Sequence, residues 1–129
     1  MSEKFIVEII SPDQTILKQE TSEVTIPSFE GQMGILKDHI PLITFLRPGI
    51  ILIKSEKEKE YYVEEGTVEF SNNNLLILTS TAKDLANFEK NLISDLIKKE
   101  VSKLSDSKVS DKDRYISSYK IETLKEISQ

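Results

Sequence analysis

A change of pattern at Ser80 constrains this chain more than any other feature. Before it, short apolar runs end at turn residues. Phe5 to Ile10 stops at Ser11-Pro12-Asp13, Thr15 to Gln19 follows, and Glu23 to Ile26 stops at Pro27. Leu42 to Leu46 runs into Arg47-Pro48-Gly49, and Ile50 to Ile53 and Tyr61 to Val63 flank the charged stretch Lys54 to Glu60. Thr67 to Phe70 and Leu75 to Leu78 are joined by Asn72-Asn73-Asn74, and asparagine tolerates positive φ. β-branched and aromatic residues at this spacing predict about eight or nine short strands in a sandwich or flattened barrel. The links are too short for parallel crossovers, which favours antiparallel pairing.

After Ser80 the period lengthens. Leu85, Phe88, Leu92 and Leu96, with Ile93, Ile97, Val101 and Leu104, recur every three or four residues, the spacing of one helix face. Thr81-Ala82-Lys83-Asp84 reads as the capping box that opens this helix. Ser105 to Ser110 is a polar break, and Ser110-Asp111-Lys112-Asp113 opens a second helix with a thinner apolar face of Ile116, Tyr119, Leu124 and Ile127. The expected fold is α+β and mainly β: an N-terminal antiparallel β-sandwich over 1–81 and a C-terminal αα-hairpin over 82–129. The second helix is expected to dock the more weakly, because apolar burial stabilises by only about 25 cal/mol per Å².

Composition narrows the chemistry. Cysteine is absent and His39 is the one histidine, which excludes disulfides, thiolate nucleophiles and Cys- or His-rich metal sites. The net charge of −5 disfavours nucleic acid. Residues 1–80 hold 7 basic and 13 acidic side chains, a balance of −6, and residues 81–129 hold 10 and 9, a balance of +1. The two parts therefore face different electrostatic surroundings. No apolar run approaches the roughly 18 residues of a membrane span. The start lacks the basic and apolar regions of a signal peptide, so the chain is expected to stay where it is made.

Individual residues give little support for catalysis. Gly31 and Gly34 lack the lysine and helix of a phosphate-binding loop and read as turn glycines. His39 has no nucleophile in register, and adjacent Asp38 would point to the opposite face of a strand. Glu56, Glu58, Glu60, Glu64 and Glu65 read as a solvated edge that discourages aggregation. Lysines and Arg114 concentrate in the helical part, either for solubility or to dock an acidic partner.

The segment 26–49 resembles the ε subunit of the F-type ATP synthase, equivalent to mitochondrial δ. That family carries a Pro/Gly-x-x-Glu-Gly-x-x-Gly-x-x-x-x-His-x-Pro-x-x-x-x-x-x-Pro-Gly pattern. Pro27, Glu30, Gly31, Gly34, His39, Pro41, Pro48 and Gly49 stand in those places. Val7 to Pro12, Glu65-Gly66 and Leu76 to Ala82 extend the likeness.

The resemblance implies a noncatalytic rotor subunit that couples proton translocation to ATP synthesis. Its partners would be the γ subunit, the c-ring and the α/β catalytic head. It would sit peripherally on the cytoplasmic face of a bacterial plasma membrane, held there only through the complex. It places Glu30, Gly31, Gln32, Met33, Gly34, His39 and Pro41 on the side facing γ and the c-ring. In bacterial relatives the hairpin can extend along γ and block ATP hydrolysis, and the basic residues that would meet an acidic segment of β are Lys112, Arg114, Lys120 and Lys125. Some relatives bind ATP through Ile/Leu-Asp-x-x-Arg-Ala. Here Phe88, Glu89, Leu92 and Ile93 stand in that motif's place, and Leu92 cannot replace a guanidinium that pairs with phosphate. No cofactor, metal or catalytic residue is expected. The other readings are a free-standing sandwich binding module and a small enzyme.

Overall fold

The computed structural model describes residues 3–106 and 108–128, with no account of the Lys90 side chain. Met1, Ser2, Ser107 and Gln129 lie outside the described residues, and with them part of the N-terminal start and of the 105–110 break. The strands are β1 (Phe5–Ile10), β2 (Thr15–Thr21), β3 (Glu23–Ser28), β4 (Gly31–Leu36) and β5 (Leu42–Leu46). They continue as β6 (Gly49–Lys54), β7 (Lys59–Val63), β8 (Gly66–Ser71), β9 (Asn74–Leu78) and β10 (Lys83–Asp84). A 3-10 turn, Leu85–Asn87, leads to helices α1 (Lys90–Leu104) and α2 (Asp111–Ile127).

The pairing divides the strands into two layers. One runs β4-β3-β6-β7-β10 and the other β5-β8-β9-β1-β2. Among the described residues they join through the pair Ser28–Leu46. The joint arises because β5 and β6 form one strand broken at Arg47-Pro48, so the chain leaves one layer and enters the other. Pairing is antiparallel except between β1 and β9, which run parallel with Ile6 opposite Asn74. Link length sets the direction of neighbours in sequence; it does not bear on two strands that are distant in sequence and adjacent in the sheet.

Alternation decides what faces inward. Val7, Ile9, Val68, Phe70, Leu75 and Ile77 from one layer meet Val24, Ile26, Ile35, Ile51, Ile53, Tyr61 and Val63 from the other in a single buried cluster. Tyr62 points the opposite way from its neighbours. With Ile93 and Leu124 it forms a second buried cluster, joined by Leu85, Phe88, Leu96, Ile97 and Ile127. The hairpin therefore covers the outer face of the first layer.

Three local expectations change. β3 continues through Pro27 to Ser28. The first helix opens at Lys90, without a side-chain cap at Glu89. Thr81 instead accepts a hydrogen bond from the Glu64 N–H at 3.0 Å, and the Asp84 carboxylate accepts one from the Ala86 N–H at 2.9 Å. The would-be capping residues thus serve the sheet edge and the 3-10 turn. Leu92 and Val101, expected on the apolar face, are exposed. The second helix opens as expected, with Ser110 Oγ accepting from the Asp113 N–H at 3.1 Å.

Candidate functional site

Two surfaces carry the residues of interest. The first is built around the β3–β4 turn. Gly31 has φ of 121°, a conformation that L side chains rarely adopt. The turn is closed by the Ser28 hydroxyl, which donates to the Gly31 carbonyl at 2.7 Å and accepts from the Glu30 N–H at 3.2 Å. Backbone bonds from Phe29 N–H to the Phe45 carbonyl and from Arg47 N–H to the Pro27 carbonyl tie it to the β5–β6 bend. Gly49 is held in that bend by close approach: a Cβ there would stand 2.5 Å from Pro27 Cβ. Gly34 differs from its reading as a turn glycine. It lies within β4 opposite Thr25, and a Cβ there would meet nothing nearer than Glu23 Oε2 at 3.6 Å.

His39 structures its own loop. Its ring meets Phe70 edge-on at 5.8 Å and its Nδ1 lies 2.7 Å from the Ile40 carbonyl. Asp38, at φ of 64°, turns away and exchanges two hydrogen bonds with Asn73. Among the described residues there is no cluster of three metal-ligating side chains. Beside this loop the outer face of the second layer is open and apolar: Ile40 is 74% exposed, Ile43 71% and Phe45 61%. Leu78, which like Phe45 lies opposite Thr67 of β8, is also exposed. Glu30, Gln32, Gly34 and Pro41 are exposed around the rim of this face, with Gly31, Met33 and His39 half-buried.

The second surface is where the hairpin docks. The Phe29 and Tyr115 rings stack at 6.4 Å with 16° between planes. The Arg47 guanidinium lies 4.3 Å from the centre of the Tyr119 ring, within cation–π range. Between α2 and the sandwich runs a groove of about 790 Å³ lined by Phe29, Phe45, Glu64, Thr81, Lys112 and Lys120, among others. The four basic residues proposed to act together are separated here. Arg114 donates to the Leu104 and Asp106 carbonyls, both at 2.7 Å, and so caps the end of α1. Lys120 lies 3.5 Å from Glu100 and 3.7 Å from Glu64. Lys112 and Lys125 are exposed.

Glu100 is buried, and burial alone would raise its pKa. The Ser117 hydroxyl at 2.8 Å and the Lys120 and Lys103 ammonium groups outweigh that and hold it below the ordinary value. Tyr62 is shifted upward, chiefly by burial and then by the neighbouring Glu64 charge. Phe88 meets Tyr62 at 5.8 Å and Ile93 is buried, so the segment in the place of the ATP motif serves hairpin packing.

Sequence reasoning missed Phe29, Arg47, Tyr115 and Glu100. One signal was available for Glu100: it falls on the stripe of Ile93, Ile97 and Leu104, where a charge needs a buried partner. Glu64 was grouped with the solvated edge, yet its carboxylate accepts from the Tyr62 hydroxyl at 2.9 Å.

The family model for the ATP synthase delta/epsilon chain β-sandwich domain matches residues 4–84. The chain belongs to the ATP synthase delta/epsilon family. The match takes in β10, the last strand to pair with the sandwich. The ATP synthase epsilon chain of Pelagibacter ubique (strain HTCC1062) is 45% identical over 99% of this chain and 100% of its own length. The mitochondrial ATP synthase subunit delta of Schizosaccharomyces pombe is 34% identical over 82% of this chain and 66% of its own. Among solved structures, a chain of the Euglena gracilis mitochondrial ATP synthase OSCP/F1/c-ring assembly superposes with a TM-score of 0.83 at 23% identity, covering 98% of this chain and 82% of that one. A chain of the Tetrahymena thermophila central stalk/c-ring structure gives 0.68 at 15% identity, covering 99% and 98%. These two likenesses are of fold and run through the hairpin as well as the sandwich.

Proposed function

We propose that this delta/epsilon family member is a noncatalytic coupling subunit of the ATP synthase rotor. The sandwich holds the γ subunit and rests on the c-ring, and so transmits torque between proton flow and the α/β head. The observation that carries this is the open apolar patch of Ile40, Ile43 and Phe45 on one layer of a sandwich whose other layer is already covered by its own hairpin. Apolar patches of this kind mark interaction sites. The Euglena and Tetrahymena structures with this fold are of F1/c-ring and central stalk/c-ring assemblies, which supports the choice of partners.

The rim residues Glu30, Gly31, Gln32, Met33, Gly34, His39 and Pro41 form the side toward γ and the c-ring. The subunit is peripheral, on the cytoplasmic face of a bacterial plasma membrane, and no helix among its described residues is long and apolar enough to cross one. The sandwich docks, and residues 82–129 regulate. In an extended hairpin Lys112, Arg114, Lys120 and Lys125 meet an acidic segment of β and inhibit hydrolysis. In the docked form Lys120 is engaged by Glu64 of the sandwich, which makes the docked form the permissive one.

Co-expression with γ tests the docking claim. The two chains should elute together at one-to-one stoichiometry at micromolar concentration. Separate elution of a folded chain would remove the basis of the reading.

A further inference from the structure

One cation bridges both helices of the hairpin and the sandwich. The Lys120 ammonium on α2 lies between a carboxylate of α1, Glu100, and a carboxylate just past β7, Glu64. The Lys120 side chain is 16% exposed and that of Glu100 is 6%. The two carboxylates are held alike. Ser117 donates to Oε2 of Glu100 at 2.8 Å, and Tyr62 donates to Oε2 of Glu64 at 2.9 Å. Each hydroxyl takes one oxygen and leaves Oε1 to the shared ammonium. Lys103, at 3.4 Å, adds a second cation on the Glu100 side only. Among the described residues, Lys120 is the cation that pairs with Glu64.

The two arms do different work. The Glu100–Lys120 contact joins α1 to α2 and stays within the hairpin wherever the hairpin goes. The Glu64–Lys120 contact joins the hairpin to the sandwich and breaks when it leaves. We propose that Lys120 is a latch whose bond to Glu64 sets the fraction of time the hairpin lies against the sandwich. The latch rests on the reading of the hairpin as a regulator; because it operates in the isolated chain, its failure is distinguishable from failure of the rotor reading.

The full chain carries no cysteine, so Lys18→Cys with Lys125→Cys gives a unique spin-label pair between β2 and the end of α2. Both positions are exposed. In this background the distance distribution should show one narrow docked population. Glu64→Gln keeps an acceptor for Tyr62 and leaves the Glu100–Lys120 pair intact. It should raise the ratio of undocked to docked hairpin about two- to fivefold, the effect of removing one partly screened ion pair. Lys120→Met should raise the ratio further, and adding Glu64→Gln to it should change nothing more. Hydrogen exchange in β1–β9 monitors the fold and should be unchanged in Glu64→Gln. A docked population in Glu64→Gln equal to that of the parent would overturn the latch, as would additive effects of the two substitutions.

Discussion

At the scale of single residues, close approach and paired charge explain what composition cannot. Gly49→Ala places a methyl group against the Pro27 ring, and forcing that contact costs roughly 1–3 kcal/mol in a packed bend. Chemical denaturation should show the loss. Glu100 gives the pairing of the two helices an acid limit, and Tyr62 gives hairpin docking an alkaline one. The Glu100 carboxyl is held below its ordinary value of 4.5, so as pH falls the unfolded state takes up protons first. The stability that Glu100 contributes is full above the ordinary value and is lost as pH drops below it. Tyr62 is shifted above 10.0, so its contribution is full below that pH and fades as pH rises past it. Protection of α2 amides from hydrogen exchange, read across the two ranges, should fall at both ends, and Glu100→Gln should flatten the acid side alone. These roles were only partly legible. Gly31 was readable because a turn glycine follows from local backbone geometry. Glu100 and Glu64 depend on which distant segment folds over them.

At the scale of elements, local chemistry predicted the strands well and one helix boundary poorly. Alternation and turn residues locate β6, β7 and the Asn72-Asn73 turn, where φ values of 50° and 59° suit asparagine. The misread start of α1 has a physical cause. Thr81 and Asp84 resemble a cap in sequence, but a β10 strand at Lys83–Asp84 paired to Tyr61 and Tyr62 claims that segment first. The parallel β1–β9 pair joins residues about seventy positions apart and leaves no local trace. The opening of α2 was legible because its cap is local. Ser110→Ala removes the acceptor for the Asp113 N–H and should cost about 1 kcal/mol of helix stability. Circular dichroism during thermal unfolding would register it as earlier loss of helix. Truncation should spare the sandwich if the cut follows Asp84 and so keeps β10. A chain of residues 3–84 should retain a cooperative β signal, with Tyr62 newly exposed; an unfolded product would show that the hairpin is needed for the core.

At the scale of the whole molecule, the two layers have different neighbours. The first presents Tyr62 to its own helices, and the second presents Ile43 and Phe45 outward. Residues 1–80 are acidic by six charges and the helical part is close to neutral, which suits a sandwich and a hairpin that meet different surfaces. Ile43→Glu with Phe45→Glu puts two carboxylates on the open patch without touching the buried cluster. The variant should fold as the parent does, and by burying unpaired charge at an interface it should prevent docking. The most direct measurement is ATP-driven proton pumping per ATP hydrolysed, in membranes depleted of this subunit and resupplied with either form. The parent should restore pumping, and the double variant should leave hydrolysis running with pumping lost. Equal restoration by both forms, at equal folding, would contradict coupling through this face.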